Sequence, residues 1–583
     1  MKEKNWGKLM GRKILFITTD QQRYDALGYN GGKIARTPMI DAWAKEGVVY
    51  DRAHCQSVVC MPARSTMVTG QCVRSHGVWM NGVPLPADAP SVAAHLRDRG
   101  NYRTALIGKA HFEPFIDRKF EFYENRMAQL GEFGPHRGFE HMELAGHVAR
   151  GFLHYSKWMA ENHPDEIGDY YQLISMKLEQ NSHGGGDTNA VQVKYNPMPR
   201  AHYHTDWVAA RSKAWLDSLP ADADFFLWVS FPDPHHPWDP PKSEIGRHDW
   251  RKLALPESCP KDADAVRKIL AGKPRHWLDW YEGRMVTNFE APPDFVPASV
   301  TQDQLREIQA LIHVENELVD EACANVWETI KARGWADDTD VIFTTDHGEL
   351  QGDFGLLFKG PYHVDALMRL PMIWRPASSE KAAAARVAEP VGQVDLAPTF
   401  CRIAGLPVPD WMQGKPLPLS SAEAARQRRE HVLTEWDSEF KGITVHLRTI
   451  YRDGSSAPRT KRAASMMAAR ASSTICATIR TSGAICGTSQ RNAVGARKWW
   501  PISTPACRRH VHRSSRRSPP FRPLPAPRPW LIATAMHSTQ LRRGWTRIAH
   551  RRLLPRLRMF SEIRDKPATC RYERPDDQGG QRQ

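Results

Sequence analysis

Lys13-Ile14-Leu15-Phe16-Ile17-Thr18-Thr19-Asp20-Gln21-Gln22-Arg23 is the stretch that sets the architecture. Its first seven residues are short, apolar at the centre and rich in β-formers, so they read as a buried strand. The polar run that follows puts Asp20 and Gln21 where that strand leaves its sheet. Working outward, strands are expected near Val48-Val49-Tyr50 and at Thr104 to Ile107, Phe225 to Phe231 and Val341 to Thr345. Helical stretches lie around Met39 to Glu46 and, after the start signal of Pro62, at Ser65 to Val68. Strands alternate with helices, which predicts an α/β fold with a large, mostly parallel central sheet.

Thr301 to Gly334 opens with a capping box, Thr301 to Gln304, and carries Leu305, Ile308, Leu311, Ile312, Leu318, Val319, Val326 and Ile330 at helical spacing. The pattern predicts a core-facing helix with room for one break. No internal repeat is present. The 583 residues carry 80 Lys and Arg against 65 Asp and Glu, but the excess is confined to one end. From Ser455 onward there are 27 basic and 5 acidic residues, so the body is mildly acidic. The ten cysteines show neither a disulfide framework nor paired metal-ligand spacing, and reduced thiols are the expectation. No signal peptide or long apolar run is evident, which predicts a cytoplasmic protein with no membrane partner.

Three separated segments bring chemistry to the strand ends, where open α/β sheets place their sites. The first is Asp20 with Gln21. The second, Asp346-His347-Gly348-Glu349, follows the strand expected at Val341 to Thr345. Two Asp and a His offer hard oxygen and borderline nitrogen donors for one divalent cation. Asp-His-Gly alone is also an ordinary strand-end turn, and its pairing with Asp20 is what gives it weight. The third is Cys60-Met61-Pro62-Ala63-Arg64, with Pro suited to a first helical turn. A residue there sits over helix N–H groups that favour an anion, whereas a lone Cys is otherwise a core residue.

Taken with Thr69-Gly70, that run resembles the sulfatase signature, Cys-x-Pro-x-Arg followed by a helix ending in Thr-Gly. The resemblance extends from about Arg12 to Glu435 through ordered matches. They are the strand ending at Asp20, Thr37-Pro38, the cysteine run, Gly108-Lys109-Ala110-His111, Pro234-His235-His236-Pro237, Asp346-His347-Gly348, and Lys359. It implies the α/β sandwich of the alkaline phosphatase superfamily over residues 11–425, followed by the start of a small C-terminal α+β subdomain over 426–454.

By the same resemblance, Cys60 is oxidised to formylglycine by a separate formylglycine-generating enzyme, and the hydrated aldehyde attacks the sulfur of a small sulfate ester. One diol oxygen bonds to sulfur and the other expels the product. The implied ligands of one divalent metal ion are Asp20, Gln21, Cys60, Asp346 and His347. Arg64 and Lys109 would fix the diol, Lys359 would clamp the ester, His111 would be the base, and His235 the leaving-group acid or a sulfate donor. Bland readings stand beside these: Lys109 and Lys359 as solvated residues, and His235 or His236 capping a Pro-rich turn. His54 and His76 read as structural.

Gln21 and His347 depart from many sulfatases, which carry Asp and Asn there. They are similar instead to phosphonate monoester hydrolases, which share the machinery and cleave phosphonates and phosphodiesters. A neutral amide lowers the site's negative charge. Calcium suits the oxygen-rich version and the histidine admits manganese. Specificity is expected in the insertion from Pro114 to Tyr203 and in Trp238 to Phe295, where His141, His147, His154, Trp158, Trp250, Trp277 and Trp280 read as packing.

The tail, residues 455–583, sustains neither helical nor strand periodicity, and reads as a disordered basic arm or as a shifted reading frame. Ser472 to Gly487 can be back-translated so that a one-base shift gives ELDDLRDDPHQWRNLW, similar to the acidic turn near the end of many sulfatases. That favours a frameshift near Gly454, with no nucleic-acid partner, and leaves an inactive truncated relative as a third reading. An oligomer is possible.

Overall fold

The structure, a computed structural model, describes residues 12–117, 119–170, 184–285, 290–292, 295–440, 443–452 and 474–481. Its centre is an eight-stranded sheet. The strands in chain order are β1 (Lys13–Thr19), β2 (Val48–Tyr50), β3 (Arg103–Gly108), β4 (His141–Leu144), β5 (Phe225–Ser230), β6 (Thr339–Thr345), β7 (Met372–Arg375) and β8 (Ala385–Val387). Across the sheet the order is β8-β2-β7-β6-β1-β5-β3-β4. From β6 to β4 every pairing is parallel, with Ile14 opposite both Phe226 and Asp340. Only β7 runs against its neighbours. The mostly parallel sheet expected from the alternation of elements is therefore present.

All seven residues of β1 are buried. Ile14 and Phe16 point to one face, against Trp228 and Phe400. Leu15 and Ile17 point to the other, against Val229, Leu318 and Trp327. Burial on both faces explains why the strand reads as a continuous apolar run rather than an alternation. Each such side chain contributes roughly 1.5–3 kcal/mol by leaving water.

The helices that matter most are α1 (Pro38–Glu46), α2 (Cys60–Thr69), α3 (His204–Ser218) and α4 (Gln302–Ala332). The capping box of α4 forms as expected, with Gln304 N donating to Thr301 Oγ1 at 3.1 Å and Thr301 N to Gln304 Oε1 at 2.9 Å. The break allowed by the pattern does not occur, and α4 is one helix of 31 residues. The polar interval around Asn316 is satisfied in place. Asn316 Oδ1 accepts from Gln22 Nε2 at 2.5 Å, and Glu317 takes Arg36 and Arg247 at 3.1 Å each.

Beyond the main sheet, β9 (His431–Phe440), β10 (Ile443–Arg452) and β11 (Thr474–Thr481) form an antiparallel sheet. Trp436, Val445 and Leu447 join the main core, and Thr434 Oγ1 donates to the Cys55 carbonyl at 2.6 Å. β11 lies in the basic tail, where the side chains gave no strand periodicity. An edge strand offers backbone groups that pair with any neighbouring chain whatever its side-chain pattern. The rest of the tail, and so the frameshift reading, lies outside the described residues, as do 171–183 of the insertion. Cys55, Cys60, Cys72, Cys259, Cys323 and Cys401 are free thiols. No described helix is long and apolar enough to cross a membrane.

Candidate active site

Cys60 opens α2, after Val59 in an extended conformation. Every residue of this helix is buried, so its N-terminus faces the interior rather than water. Asn81 Oδ1 accepts the first-turn N–H of Met61 at 3.0 Å, meeting a donor that has no partner within the helix. Gly70 ends the helix at φ +66°, and a Cβ there would lie 3.0 Å from Ala397 Cβ and Met412 Cγ. The Thr-Gly ending is thus a packing requirement as well as a turn.

Asp20 leaves β1 and Asp346-His347 leaves β6, on strands paired in register, so both arrive at the same sheet edge. With Cys60 they form a wholly buried group whose donor atoms lie within 4.8 Å of one another. Cys60 Sγ is 3.1 Å from His347 Nε2 and 3.7 Å from Asp20 Oδ1, and His347 Nε2 is 3.6 Å from Asp346 Oδ1. Neighbours fix these donors. Asp346 Oδ1 accepts from the N–H groups of Gln21 and His347 at 3.1 and 2.9 Å, and Gln393 Nε2 donates to the Asp346 carbonyl at 2.6 Å. His347 Nδ1 faces the Gly348 carbonyl at 3.0 Å, which places its proton there and turns the Nε2 lone pair inward.

Gln21 holds φ +62°, a left-handed conformation unusual for its type. Its Nε2 donates to Glu349, so Oε1 is the atom that accepts Lys359 Nζ at 2.7 Å on the Cys60 side. His111 and Phe358, beside the two lysines, also have positive φ, at 58° and 67°. Such backbone strain collects at functional sites.

Three cations ring the group. Arg64 donates through Nε to Asp346 Oδ2 at 2.9 Å, and through Nη1 to the Lys109 carbonyl and Ser230 Oγ at 2.7 and 2.8 Å. Lys109 pairs with Asp20 and meets His147 Nε2 at 2.8 Å. Lys359 reaches Cys60 Sγ at 3.4 Å and His235 Nε2 at 2.9 Å. Lys109 follows Gly108, where the backbone passes so close to Ser230 that a Cβ would meet its carbonyl oxygen at 1.8 Å. Both lysines are nearly inaccessible, so the reading of them as solvated residues fails.

These charges set the protonation pattern. Burial would raise the Asp20 carboxyl, but Lys109 and Arg64 outweigh it and hold it well below the usual range. Burial and the Asp20 charge push the Cys60 thiol up to about 12, so as a cysteine it is a poor nucleophile. Burial, reinforced by Lys109, holds His111 and His147 neutral. Burial with His147 and Lys359 does the same for His235, and burial with Lys359 for His236. His147, His235 and His236 stack, with ring centroids 3.9 and 4.1 Å apart.

The structure brings together Asp20, Gln21, Cys60, Arg64, Lys109, His235, Asp346, His347 and Lys359. His111 stands just beyond Lys109, its Nδ1 unpartnered, lining a cavity of about 10 Å³ with His147 and Glu124. His54 stacks on Tyr451 at 4.4 Å and His76 binds Thr66 Oγ1 at 3.1 Å, in line with structural roles. Sequence reasoning missed several participants. His147, which reads with the packing aromatics, lies three residues beyond the end of β4, at the same sheet edge as Asp20. His236, set aside in favour of His235, meets Gln21 Nε2 at 3.2 Å. Asn81, Ser230 and Gln393 carried no local signal, and Glu349 stood in the Asp346 segment with no role of its own. Asn81 also donates to Glu290, half-buried near Lys359, at 2.9 Å.

A parallel sheet carries two carboxylates and a histidine at adjacent strand ends, facing a helix N-terminus and three buried cations, an arrangement suited to holding a cation beside an anionic ester. The family model described as Sulfatase matches residues 12–406, and the chain belongs to the sulfatase family. Over 404 residues it is 26% identical to an uncharacterised sulfatase, YidJ, of Escherichia coli, covering 69% of each chain. It is 27% identical over 410 residues to an arylsulfatase of Clostridium perfringens, covering 70% of this chain and 77% of that one. Among solved structures, a phosphonate monoester hydrolase of Agrobacterium radiobacter shares the fold with a TM-score of 0.60. That match has 23% identity and covers 76% of this chain and 88% of that one.

Proposed function

We propose that the chain hydrolyses sulfate monoesters with a formylglycine nucleophile made from Cys60, beside one divalent metal ion. The observation that carries the reading is the convergence of Cys60, Asp20, Asp346 and His347 at one buried point ringed by Arg64, Lys109 and Lys359. The donor set fits such an ion: two carboxylates and an imidazole lone pair point inward, with Gln21 Oε1 on the Cys60 side. A bound ion would lower the pKa of a hydroxyl at position 60 and offset negative charge on the ester. Calcium fits the oxygens and manganese the histidine.

Oxidation of Cys60 by a formylglycine-generating enzyme would supply a hydrated aldehyde, one oxygen for bonding to sulfur and one for expelling the product. The remaining work falls to side chains already in place. Arg64, locked by four partners, holds Asp346 and the Lys109 carbonyl rigid. Lys109 and Lys359 offer fixed positive charge to the ester oxygens, in a site whose burial strengthens it. His111, kept neutral, can accept a proton. His235 directs Nδ1 at the His236 carbonyl, which leaves Nε2 to exchange a proton with Lys359 or the leaving oxygen.

A second reading, cleavage of phosphonate monoesters or phosphodiesters, is favoured by Gln21 and His347. The amide oxygen is held by Lys359, so the site carries one carboxylate fewer than an Asp at position 21 would give. Turnover of an aryl sulfate, an aryl phosphonate and an aryl phosphodiester by protein from a host that oxidises Cys60 separates the two. Mass analysis of the peptide spanning Cys60 should show an aldehyde. An unmodified thiol in that protein, or an aldehyde with all three esters untouched, refutes the proposal.

A further inference from the structure

Outside the active site, His163, Glu166 and His202 bring one donor atom each to within 4.8 Å of the others. We infer that they form a second, structural metal site for a zinc-class divalent ion. His163 closes the helix His154–Asn162, Glu166 ends the short turn Pro164–Glu166, and His202 ends Arg200–His202. The site therefore joins the middle of the insertion to its C-terminal end, about forty residues apart in sequence.

The geometry suits a small, borderline cation. A tetrahedral ion with bonds of 2.0–2.1 Å separates its ligand atoms by about 3.3 Å. Glu166 lies 2.8 Å from His202 Nδ1 through one oxygen and 4.0 Å from His163 Nδ1 through the other, which brackets that spacing. The imidazoles face each other at 3.7 Å, tilted by 28°, with both Nδ1 atoms toward the same carboxylate. Two imidazoles and one carboxylate suit zinc better than calcium, which prefers oxygen.

The surroundings hold the rings in place. His163 N donates to the Met159 carbonyl at 2.8 Å, and the His202 carbonyl accepts Tyr155 OH at 2.7 Å. Trp158 packs against both rings, at 4.8 and 6.0 Å, giving the site an apolar wall. All three donors are about a quarter exposed, which leaves an entry path and room for water as a fourth ligand. The next residues grip the catalytic loop. Tyr203 OH donates to Asp233 Oδ1 at 3.1 Å and Thr205 Oγ1 to Asp233 Oδ2 at 2.5 Å, two residues before His235. An ion here braces that grip and touches no reacting atom.

The test is equilibrium titration of the chelator-stripped full chain with Zn²⁺, with Co²⁺ absorption as a spectroscopic readout. Asp346→Asn takes one of the two carboxylates from the active-site metal position and so weakens it, and that variant should still bind one equivalent tightly, develop cobalt bands and gain thermal stability with Zn²⁺. Adding His202→Gln or His163→Ala to it should lower the apparent affinity by at least about 100-fold and abolish the cobalt bands and the stabilisation. Zinc binding by Asp346→Asn that neither histidine change affects, or no zinc binding by Asp346→Asn at all, overturns the site. If one double variant fails to fold, the other gives the same comparison.

Discussion

Two groups of stacked histidines, one beside Cys60 and one near the surface, are built from the same side chain and set up opposite chemistry. His147 and His235 present a lone pair to the ammonium groups of Lys109 and Lys359, His236 stacks on His235 and meets the Gln21 amide, and burial keeps all three neutral. His163 and His202 stack as closely but turn their nitrogens to Glu166. Ring stacking alone does not fix a histidine's role. The sign of the charge facing its nitrogen does: a cation there yields proton acceptors, and a carboxylate yields a seat for a cation.

The first group is broken most completely through the carboxylates that its cations serve. Asp346→Asn should reduce kcat/KM for the best ester by at least about 10³-fold, because it removes a metal donor and the anchor of Arg64. A near-normal rate would show that Asp346 is only structural. His111→Ala should lower kcat by about 10²-fold or more. KM should barely move if the neutral imidazole takes a proton without binding the ester. A change confined to KM would make His111 a binding residue.

Gln21→Asp restores a carboxylate beside Lys359. The ratio of aryl sulfate to aryl phosphonate turnover should rise on the order of tenfold, measured as the quotient of the two kcat/KM values. An unchanged ratio would detach specificity from this position. The smallest effect concerns folding. Burial lowers His54 from 6.5 to about 4, and His76 and His204 from 6.5 to about 3. At these three positions the unfolded chain binds more protons in that window, so their contribution to stability is full above about pH 6.5 and falls as pH drops from there toward 3. Urea unfolding of the parent and of His76→Gln at pH 7.5 and 5 should show the parent losing more stability on acidification, and an equal loss in both would contradict the burial of that ring.

Much of this was legible in the chain because parallel strands announce themselves locally. A continuous apolar run ending in Asp20, or in Asp346-His347, marks both the strand and the edge where its polar residues emerge. The cysteine run was legible as a helix start for the same reason: Pro62 and Gly70 bracket it. Asn81, Glu349 and Gln393 were not, since each acts by reaching a group supplied by another segment. The extent of α4 was legible, but its continuity was not, because its polar interval is satisfied by Gln22, Arg36 and Arg247, none of them near it in sequence.

The sequence by itself determined the parallel sheet, the strand-end carboxylates, Cys60 at a helix start and the sulfatase resemblance, since these depend on periodicity and on residues within a few positions of one another. Only the tertiary structure decided which cation faces which donor. It placed Lys109 on Asp20 and Lys359 on Cys60, drew His147 and His236 into the site, and set His163 against His202. Electrostatic partnership depends on distance in space, and residues from several strands and loops come within a few ångströms only when the sheet gathers their ends.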